Sequence, residues 1–295
     1  MPAPADVAGP GGPDRLQVAQ ARPAPDSSNL PLRITTWNVN SVRLRLAGLA
    51  RLVRAVDPDV LCLQETKVRN ELFPVLELRA LGFPHHILHG QAGYHGVAIF
   101  SRLPLEDATP LDWCNSTDCR HLHAILQGGI ELHNLYIPAG GDLPDPELNA
   151  KFRHKLEMLA ALTDWFRREF AIERRAVLVG DLNVAPLETD VWNHKALLRV
   201  VSHTPVEVRA LQALQAAHRW RDAVRHFVPA SERLYTWWSY RAQDWAASDR
   251  GRRLDHVWVT PALAPGLRQA TALRAARGWP QPSDHVPVTV EIALP

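Results

Sequence analysis

One stretch of the sequence decides how the fold is interpreted: Val177-Leu178-Val179-Gly180-Asp181-Leu182-Asn183. Its short aliphatic run is typical of a fully buried strand, which Gly180 then interrupts. A carboxylate and a carboxamide follow at the carboxyl end of that strand. In α/β sheets, ligand-binding and catalytic residues usually lie at this end of the strands, because the loop that follows can vary in sequence while the strand fixes where the loop begins. The structural alternative is an Asx-turn, in which Asp181 and Asn183 only bond nearby backbone donors.

The same pattern of an apolar strand that ends in polar residues recurs along the chain. Residues 32–40 and 59–67 are rich in β-branched and other apolar residues, and both end in polar side chains. Between them, apolar residues at helical spacing predict a helix that Asp57-Pro58 terminates. Strand, helix and strand in this order indicate a βαβ-like unit at the start of the fold.

The remaining elements complete a mixed α/β pattern. Further strands are predicted within residues 94–100, 122–126, 130–136, 254–259 and 286–292. Residues 152–170 have the apolar spacing of a long amphipathic helix, and Thr204-Pro205-Val206-Glu207 has the form of a capping box that opens another helix. In total the sequence predicts about ten strands and fewer helices.

Length and composition place limits on the organisation. A chain of 295 residues with 46% hydrophobic residues can bury a large core. Residues 1–30 hold six of the 24 prolines and little apolar periodicity, which predicts a disordered tail rich in Pro, Ala and Gly. Residues 31–295 are expected to form a single catalytic domain.

Charge and targeting signals are weak. The formal net charge of +2 neither requires nor excludes a nucleic-acid partner, because phosphate contacts depend on local charge. There is no apolar run of the roughly 18 residues that a membrane span needs, and no secretory signal pattern, so a cytoplasmic protein without membrane contact is expected, nucleoid-associated if bacterial. The three cysteines lack zinc-type spacing and are expected to be reduced thiols, with a Cys114–Cys119 redox pair left open.

The polar residues at the strand ends form a set with one chemical character. Its members are Asn38, Glu65, Tyr136, Asp181, Asn183, Asp255, Asp284 and His285. Carboxylates and carboxamides without cysteine ligands suit a hard cation such as Mg²⁺. An aspartate beside a histidine indicates an imidazole held in one orientation or kept protonated. Because no Gly-x-Ser-x-Gly nucleophile is present, the set points to water attacking a phosphoryl centre.

Six short motifs in this order resemble one known family. They are Thr36-Trp37-Asn38-Val39-Asn40, Gln64-Glu65-Thr66-Lys67, Tyr136-Ile137-Pro138, Gly180-Asp181-Leu182-Asn183, Arg253-Leu254-Asp255 and Ser283-Asp284-His285. Together they resemble the exonuclease III class of abasic-site (AP) endonucleases, in the endonuclease/exonuclease/phosphatase superfamily. Each motif alone is weak evidence, whereas six in order over residues 31–295 are specific.

The resemblance implies a fold and a metal site. The fold is a four-layered α/β sandwich, in which two mixed β-sheets pack face to face with helices on the outside. The cofactor is Mg²⁺, with Mn²⁺ as a substitute. Glu65 resembles the principal metal ligand, with Asn38 assisting in or beside the metal shell, while Asp255 would lie near His285 or at a second metal position.

The resemblance also implies catalytic roles. Asp181 would orient or deprotonate the attacking water, and Asn183 would help it to hold the phosphate. His285 would bond a non-bridging phosphate oxygen while Asp284 orients it. Tyr136 would contact the phosphate or support the leaving oxygen. Which residue is the general base stays open.

Substrate-binding positions follow from the same resemblance. Trp237 and Leu254 match residues that line a pocket for a baseless sugar, where an aromatic wall excludes an intact nucleotide. Arg120 and Asn193 match phosphate-contacting residues. Additional backbone contacts are expected from Arg250, Arg252 and Arg253, with solvated surface charge as the alternative for each.

The expected activity is Mg²⁺-dependent DNA repair. The enzyme would cut the phosphodiester 5′ to an abasic site and leave 3′-hydroxyl and 5′-phosphate-sugar ends, as in base excision repair. A 3′-to-5′ exonuclease and 3′-end-cleaning activity on duplex DNA is expected beside it, from a monomer. Ala139 replaces a common amide side chain and residues 184–204 depart from the better-known branches, so the balance of these activities stays open. The alternatives are a phosphatase or phosphodiesterase of the same superfamily with a non-DNA substrate, and a non-catalytic nucleic-acid-binding relative.

Overall fold

A computed structural model describes residues 31–171, 173–242 and 244–294. The predicted tail, residues 1–30, lies outside the described residues. The strands are β1 (Leu32–Asn38), β2 (Val60–Gln64), β3 (His85–His89), β4 (Val97–Ser101), β5 (Leu105–Pro110), β6 (His121–Leu126), β7 (Ile130–Tyr136), β8 (Ala176–Asp181), β9 (Arg221–Asp222), β10 (Trp237–Trp238), β11 (Gly251–Arg252), β12 (Asp255–Val259), β13 (Leu267–Ala272) and β14 (Val288–Ile292). The helices are α1 (Leu46–Val56), α2 (Val75–Ala80), α3 (Ala150–Glu169), α4 (His194–Leu197), α5 (Pro205–Ala217) and α6 (Trp245–Ser248).

Two six-stranded mixed sheets form the centre of the fold. The first sheet has the order β13-β14-β1-β2-β4-β3, and the second has the order β5-β6-β7-β8-β12-β9. One parallel pair lies near the middle of each sheet, β1 with β2 and β7 with β8, and the neighbouring pairs are antiparallel. The strand–helix–strand unit predicted at the start of the chain is therefore present as β1-α1-β2.

The apolar residues sort into layers that match these sheets. One cluster, which includes Ile34, Val60, Leu132 and Val179, fills the space between the two sheets. A second cluster packs α1 and α2 against the outer face of the first sheet, and a third packs α3 and α5 against the outer face of the second. Burial of each such aliphatic or aromatic side chain contributes roughly 1.5–3 kcal/mol. The predicted four-layered α/β sandwich is confirmed.

Local sequence signals explain several boundaries. The first helix ends where Asp57 adopts a left-handed conformation (φ 45°) and its N–H bonds the carbonyl of Val53. The fifth begins with the predicted capping box, in which Thr204 accepts from the N–H of Glu207 and Glu207 accepts from the N–H of Thr204. The side chain of Asn149 caps α3 by accepting from two backbone N–H groups of its first turn.

The strands that the sequence did not predict lie mainly at sheet edges. Four of them, β3, β5, β9 and β13, are edge strands of the two large sheets, and the other two, β10 and β11, form a separate two-stranded sheet. An edge strand buries less of its surface, so its sequence shows neither a continuous apolar run nor a regular alternation. Most residues of β5 are exposed, for example. Within the described ranges, no helix combines the length and the apolar composition of a bilayer-spanning segment.

Candidate active site

Strand pairing brings the predicted site residues to one end of the two sheets. Asn38 ends β1 beside the end of β2, so Glu65 follows directly from β2 into the same region. Tyr136 is the Cα partner of Asp181 in the parallel pair of the second sheet, and Asp255 is the partner of Asp181 on its other side. The carboxyl ends of both parallel pairs therefore face one cleft edge, as expected for α/β sheets.

Asn38 links the acidic residues of the two sheets. Its Nδ2 donates to Oε1 of Glu65 and to Oδ2 of Asp181, at 2.9 Å in each case. Its Oδ1 accepts from the backbone N–H of Asn40. Asn38 therefore bridges two carboxylates through its amino group, and its place is beside the carboxylate of Glu65, the predicted metal ligand.

The backbone around two of these residues is strained. Glu65 has φ 51° and Asn183 has φ 52°, which are left-handed backbone values that residues other than glycine adopt rarely. Asn183 is held there by its Nδ2, which donates to the carbonyl of Ile137 at 2.9 Å and to Oδ2 of Asp181 at 3.1 Å. Surrounding hydrogen bonds thus hold both side chains towards the same cleft.

His285 lies opposite these carboxylates, and its partner is Asp255. Nδ1 of His285 lies 2.8 Å from Oδ2 of Asp255, and its Nε2 lies 3.6 Å from Oδ2 of Asp181. The neighbouring Asp284 instead accepts from Nε1 of Trp237 and from Nδ2 of Asn40, each at 3.0 Å. The prediction that Asp284 orients His285 is therefore wrong. Asp284 bonds Trp237 and Asn40, and the carboxylate that bonds the imidazole is that of Asp255 on β12.

The charges of this cluster are strongly coupled. Burial disfavours the protonated ring of His285, but Asp255 and then Asp181 outweigh it and raise its pKa to about 10. Burial also disfavours a charged Asp181. Although His285 acts in the other direction, Asp255 and Glu65 add to the effect, and the pKa of Asp181 is raised to about 7. His285 is thus a protonated donor at neutral pH, whereas Asp181 is close to gaining a proton.

Lys67 and Tyr136 surround Glu65. Nζ of Lys67 lies 2.8 Å from Oε2 of Glu65. Burial disfavours the charged carboxylate, but Lys67, Asn38 and His285 together outweigh it and lower the pKa of Glu65. The hydroxyl of Tyr136 donates to Oε1 of Glu65 at 2.9 Å. Burial, followed by the charge of Glu65, raises the pKa of Tyr136 well above its ordinary value, so the phenol stays protonated. In this structure Tyr136 orients Glu65.

The donor set fits a hard divalent cation. Glu65, Asp181 and His285 each offer one ligand-type atom, and these atoms lie within 4.8 Å of one another. Burial, with the charges of Asp255 and Glu65, raises the pKa of Asp181, and Oδ1 of Asp255 is buried without a hydrogen-bond partner. A cation held by the carboxylate of Glu65 would offset the negative charges of the neighbouring Asp181 and Asp255, and oxygen ligands of this kind suit Mg²⁺.

The predicted sugar pocket lies beside this cluster. Leu254 is buried in a small apolar cluster against which Trp237 and Trp192 pack. The guanidinium of Arg252 lies over the ring of Trp237 at 5.2 Å from its centroid, and Arg250 lies over Trp192 at 4.9 Å. Aromatic walls and positive charge therefore border the cleft on this side.

Three predicted phosphate-binding positions differ in their availability. Arg120 is 6% exposed, and its guanidinium lies behind the ring of Tyr136, where it bonds His95 and Asp118. Asn193 is exposed but caps α4 by accepting from the N–H of Ala196. The prediction that Arg253 contacts the DNA backbone is wrong, because this side chain is 1% exposed and pairs with Asp222 and Asp190 in the interior.

Sequence reasoning missed two supporting residues. Oγ1 of Thr236 accepts from the N–H groups of Leu254 and Asp255, which aligns the start of β12. Lys155, from the middle of α3, donates to the carbonyl of Asn183 at 2.8 Å. A lysine within an amphipathic helix carries no signal that its ammonium is buried, so only the packing of α3 reveals it.

Comparisons with known proteins agree with this site. The sequence pattern of the Endonuclease/Exonuclease/phosphatase family matches residues 35–285. Exodeoxyribonuclease III of Haemophilus influenzae is 28% identical over 272 residues, which cover 88% of this chain and 99% of that protein.

Two solved structures share the fold. An AP endonuclease from Archaeoglobus fulgidus has 31% identity and a TM-score of 0.82, covering 89% of this chain and 100% of its own. The 3′ phosphatase NExo from Neisseria, solved with a product DNA hairpin, has 32% identity and a TM-score of 0.81, with the same coverage of both chains. The chain therefore belongs to the endonuclease/exonuclease/phosphatase family and, within it, to the exonuclease III and AP endonuclease group, as the six motifs predict.

Proposed function

We propose that this protein is a Mg²⁺-dependent DNA repair nuclease that cuts the phosphodiester 5′ to an abasic site and leaves 3′-hydroxyl and 5′-phosphate-sugar ends. The observation that carries the proposal is the bridge from Asn38 to Glu65 and Asp181, which joins the carboxylates of both sheets at one cleft edge. The names of the related proteins support DNA as the substrate.

The protonated His285 is suited to bind the scissile phosphate. Its Nδ1 bonds Asp255, so its Nε2–H is the donor that is left for a non-bridging oxygen. Donors already in position where charge develops in the transition state supply about 10²–10³ in rate each. Mg²⁺ at Glu65 would supply positive charge that stabilises the phosphate as the leaving oxygen departs.

Asp181 is the residue best suited to handle the attacking water. Its Oδ2 is held by Nδ2 of Asn38 and Nδ2 of Asn183, while Oδ1 accepts from the N–H of Asn183. Burial raises its pKa to about 7, which brings it into the range of an effective general base at neutral pH. Asn183 and Tyr136 then act by holding Asp181 and Glu65 in place.

Trp237 and Leu254 are proposed to form the pocket for the baseless sugar. Nε1 of Trp237 bonds Oδ2 of Asp284, so the predicted catalytic Asp284 would act by fixing this wall. Asn193 and Arg252 remain the proposed contacts to flanking phosphates. Mn²⁺ as a substitute, a monomeric state and a cytoplasmic location remain part of the proposal.

Processing of 3′ ends is a second proposed activity at the same site. It is favoured because the neighbour named a 3′ phosphatase is about as similar in fold as the one named an AP endonuclease, with TM-scores of 0.81 and 0.82. Both reactions hydrolyse a phosphate ester and use the same groups.

The test is an incision assay on a labelled duplex with one internal tetrahydrofuran abasic analogue and recessed 3′ ends. Wild type should cut 5′ to the analogue with Mg²⁺ and not with EDTA, and Glu65→Ala and Asp181→Asn should each lose this activity. A ladder from the 3′ end would measure the exonuclease share. An intact duplex after incubation with folded wild-type protein and Mg²⁺ would exclude the repair assignment, and a general phosphatase substrate would then be assayed.

A further inference from the structure

A second group of ligand-type side chains lies on the outer face of the second sheet. His123 on β6 and His133 on β7 are direct partners across the strand pair. Glu131 precedes His133 by two residues and therefore lies on the same face. The side chain of Tyr136, an odd number of residues from His133, lies on the opposite face in the core between the sheets. This group is thus separate from the cleft of the proposed nuclease.

The three side chains converge closely enough to share one ion. One ligand-type atom from each of His123, Glu131 and His133 lies within 4.8 Å of the other two. Nε2 of His123 lies 3.5 Å from Oε2 of Glu131, and the two imidazole centroids are 4.9 Å apart. The side chains of His123 and Glu131 are 19% and 12% exposed, so the group is open to solvent on one side.

Two imidazole nitrogens of this group are buried without a hydrogen-bond partner. They are Nε2 of His123 and Nε2 of His133. His133 is fully buried, and Phe166 and Phe170 of the α3 region pack edge-on against its ring. Two unpaired imidazole nitrogens beside a carboxylate form a donor set that is available to a ligand.

We propose that His123, Glu131 and His133 form a binding site for a divalent transition-metal ion, with Zn²⁺ as the best-suited ion. Two imidazoles and one carboxylate are a common zinc ligand set, and water takes the fourth position. Mg²⁺ prefers oxygen ligands, so this site discriminates against the ion expected in the nuclease cleft. A bound ion would join β6 to β7 and stabilise the folded state, because the unfolded chain lacks the preformed site.

Binding changes the proton positions in the neighbouring rings. The indole N–H of Trp113 donates to Nδ1 of His121 at 3.1 Å, so a neutral His121 carries its proton on Nε2 and donates it to Nδ1 of His133 at 3.0 Å. Because Nδ1 of His133 accepts this hydrogen bond, the neutral ring of His133 has its proton on the unpaired Nε2.

A metal at Nε2 of His133 replaces that proton, which leaves to solvent. The proton on Nε2 of His121 then moves to Nδ1 of His133, and Nδ1 of His121 takes one from solvent. Both rings stay neutral, and Trp113 loses its acceptor. The indole N–H of Trp113 therefore reports on occupancy of the site.

Arg174 is a built-in competitor for the ion. Its Nη1 lies 3.2 Å from Oε2 of Glu131, and its side chain is 46% exposed. A metal must displace this guanidinium or use the other carboxylate oxygen. Replacing Arg174 with an uncharged residue should therefore strengthen metal binding, which a purely structural role of the cluster would not cause.

The experiment is a titration of chelator-treated, full-length protein with Zn²⁺ by calorimetry. A Glu65→Ala background removes a principal carboxylate of the nuclease cleft, so that binding there does not obscure the result. One ion per chain is expected. Affinity should fall at least about tenfold in His123→Ala and in Glu131→Gln, and should rise in Arg174→Gln. Zn²⁺ should also shift the indole N–H resonance of Trp113.

Circular dichroism separates loss of the site from loss of the fold. Glu131→Gln is nearly isosteric, so it provides a folded variant if His123→Ala is unstable. The proposal is overturned if Zn²⁺ does not bind, or if its affinity is the same in the parent, His123→Ala and Glu131→Gln proteins.

Discussion

The buried ion pair between Lys155 and Glu207 provides the sharpest test of how the site is supported. Both side chains have no exposed surface. Nζ of Lys155 contacts a carboxylate oxygen of Glu207 and donates to the carbonyls of Asn183 at 2.8 Å and Ala139 at 3.3 Å. One ammonium group therefore holds the two loops that follow β7 and β8, which carry candidate catalytic residues.

The perturbation is Lys155→Met, which keeps an unbranched side chain of similar shape and removes the ammonium group. Breaking a buried ion pair by removing one partner costs about 3–5 kcal/mol, since the other charge is left uncompensated. Glu207 keeps donors from the N–H of Ser202, the N–H of Thr204 and the hydroxyl of Thr204. We therefore expect the lower end of that range.

Activity should fall as well as stability. Without Lys155 the carbonyl of Asn183 loses its donor, and the loop that aligns Asp181 relaxes. A displacement of about 1 Å at a reacting group can cost about 10²-fold in rate. We expect kcat on the abasic duplex to fall by that order while KM changes much less, because the substrate pocket lies on other loops.

The assays are urea unfolding and steady-state incision. Lys151→Met is the matched control, because Lys151 lies on the same helix and is exposed. A Lys155→Met/Glu207→Gln double variant should be less destabilised than the sum of the two single variants, since no lone charge remains. The reasoning is refuted if Lys155→Met unfolds at the same urea concentration as Lys151→Met, or if the double-variant cycle shows no coupling.

Three further predictions concern the cleft. Asp255→Asn should lower the pKa of His285 from about 10 towards or below its ordinary value, since the main source of the increase is lost, and should reduce kcat about 10²–10³-fold. The check is an NMR titration of the ring protons, and the same pKa for His285 in both proteins would contradict this prediction. Gly180→Ala should prevent folding, because φ is 138° and a Cβ would lie 1.9 Å from a backbone oxygen of β7. Gly128→Ala is the control: its φ is also positive but the space around it is open, so it should fold with a modest loss of stability in urea unfolding. Activity should fall as pH drops through about 7, where Asp181 gains a proton, and more Mg²⁺ should move that inflection to lower pH because a nearby cation favours the carboxylate. An inflection in the kcat/KM profile that does not depend on Mg²⁺ would argue against a cation close to Asp181.

Most of the fold could be predicted from the sequence because the central strands are buried on both faces. The apolar runs of β2 and β8 are continuous, and β1 is rich in β-branched and aromatic residues, so all three have sequences typical of strands. Helix boundaries followed from capping residues such as Thr204. The edge strands β5 and β13 were missed, because a strand paired on one side with exposed residues has the local sequence of a loop.

The sequence by itself determined which residue types meet at the cleft, since parallel strands that end in polar residues must bring those ends together. It did not determine which side chain bonds which. Asp284 is next to His285 in the chain, yet Asp255 holds its imidazole, whereas Asp284 accepts from the indole N–H of Trp237. The burial of Lys155 and Arg253, and the meeting of His123 with His133, likewise depend on packing and strand register. Those are set by contacts between distant segments, which no local pattern encodes.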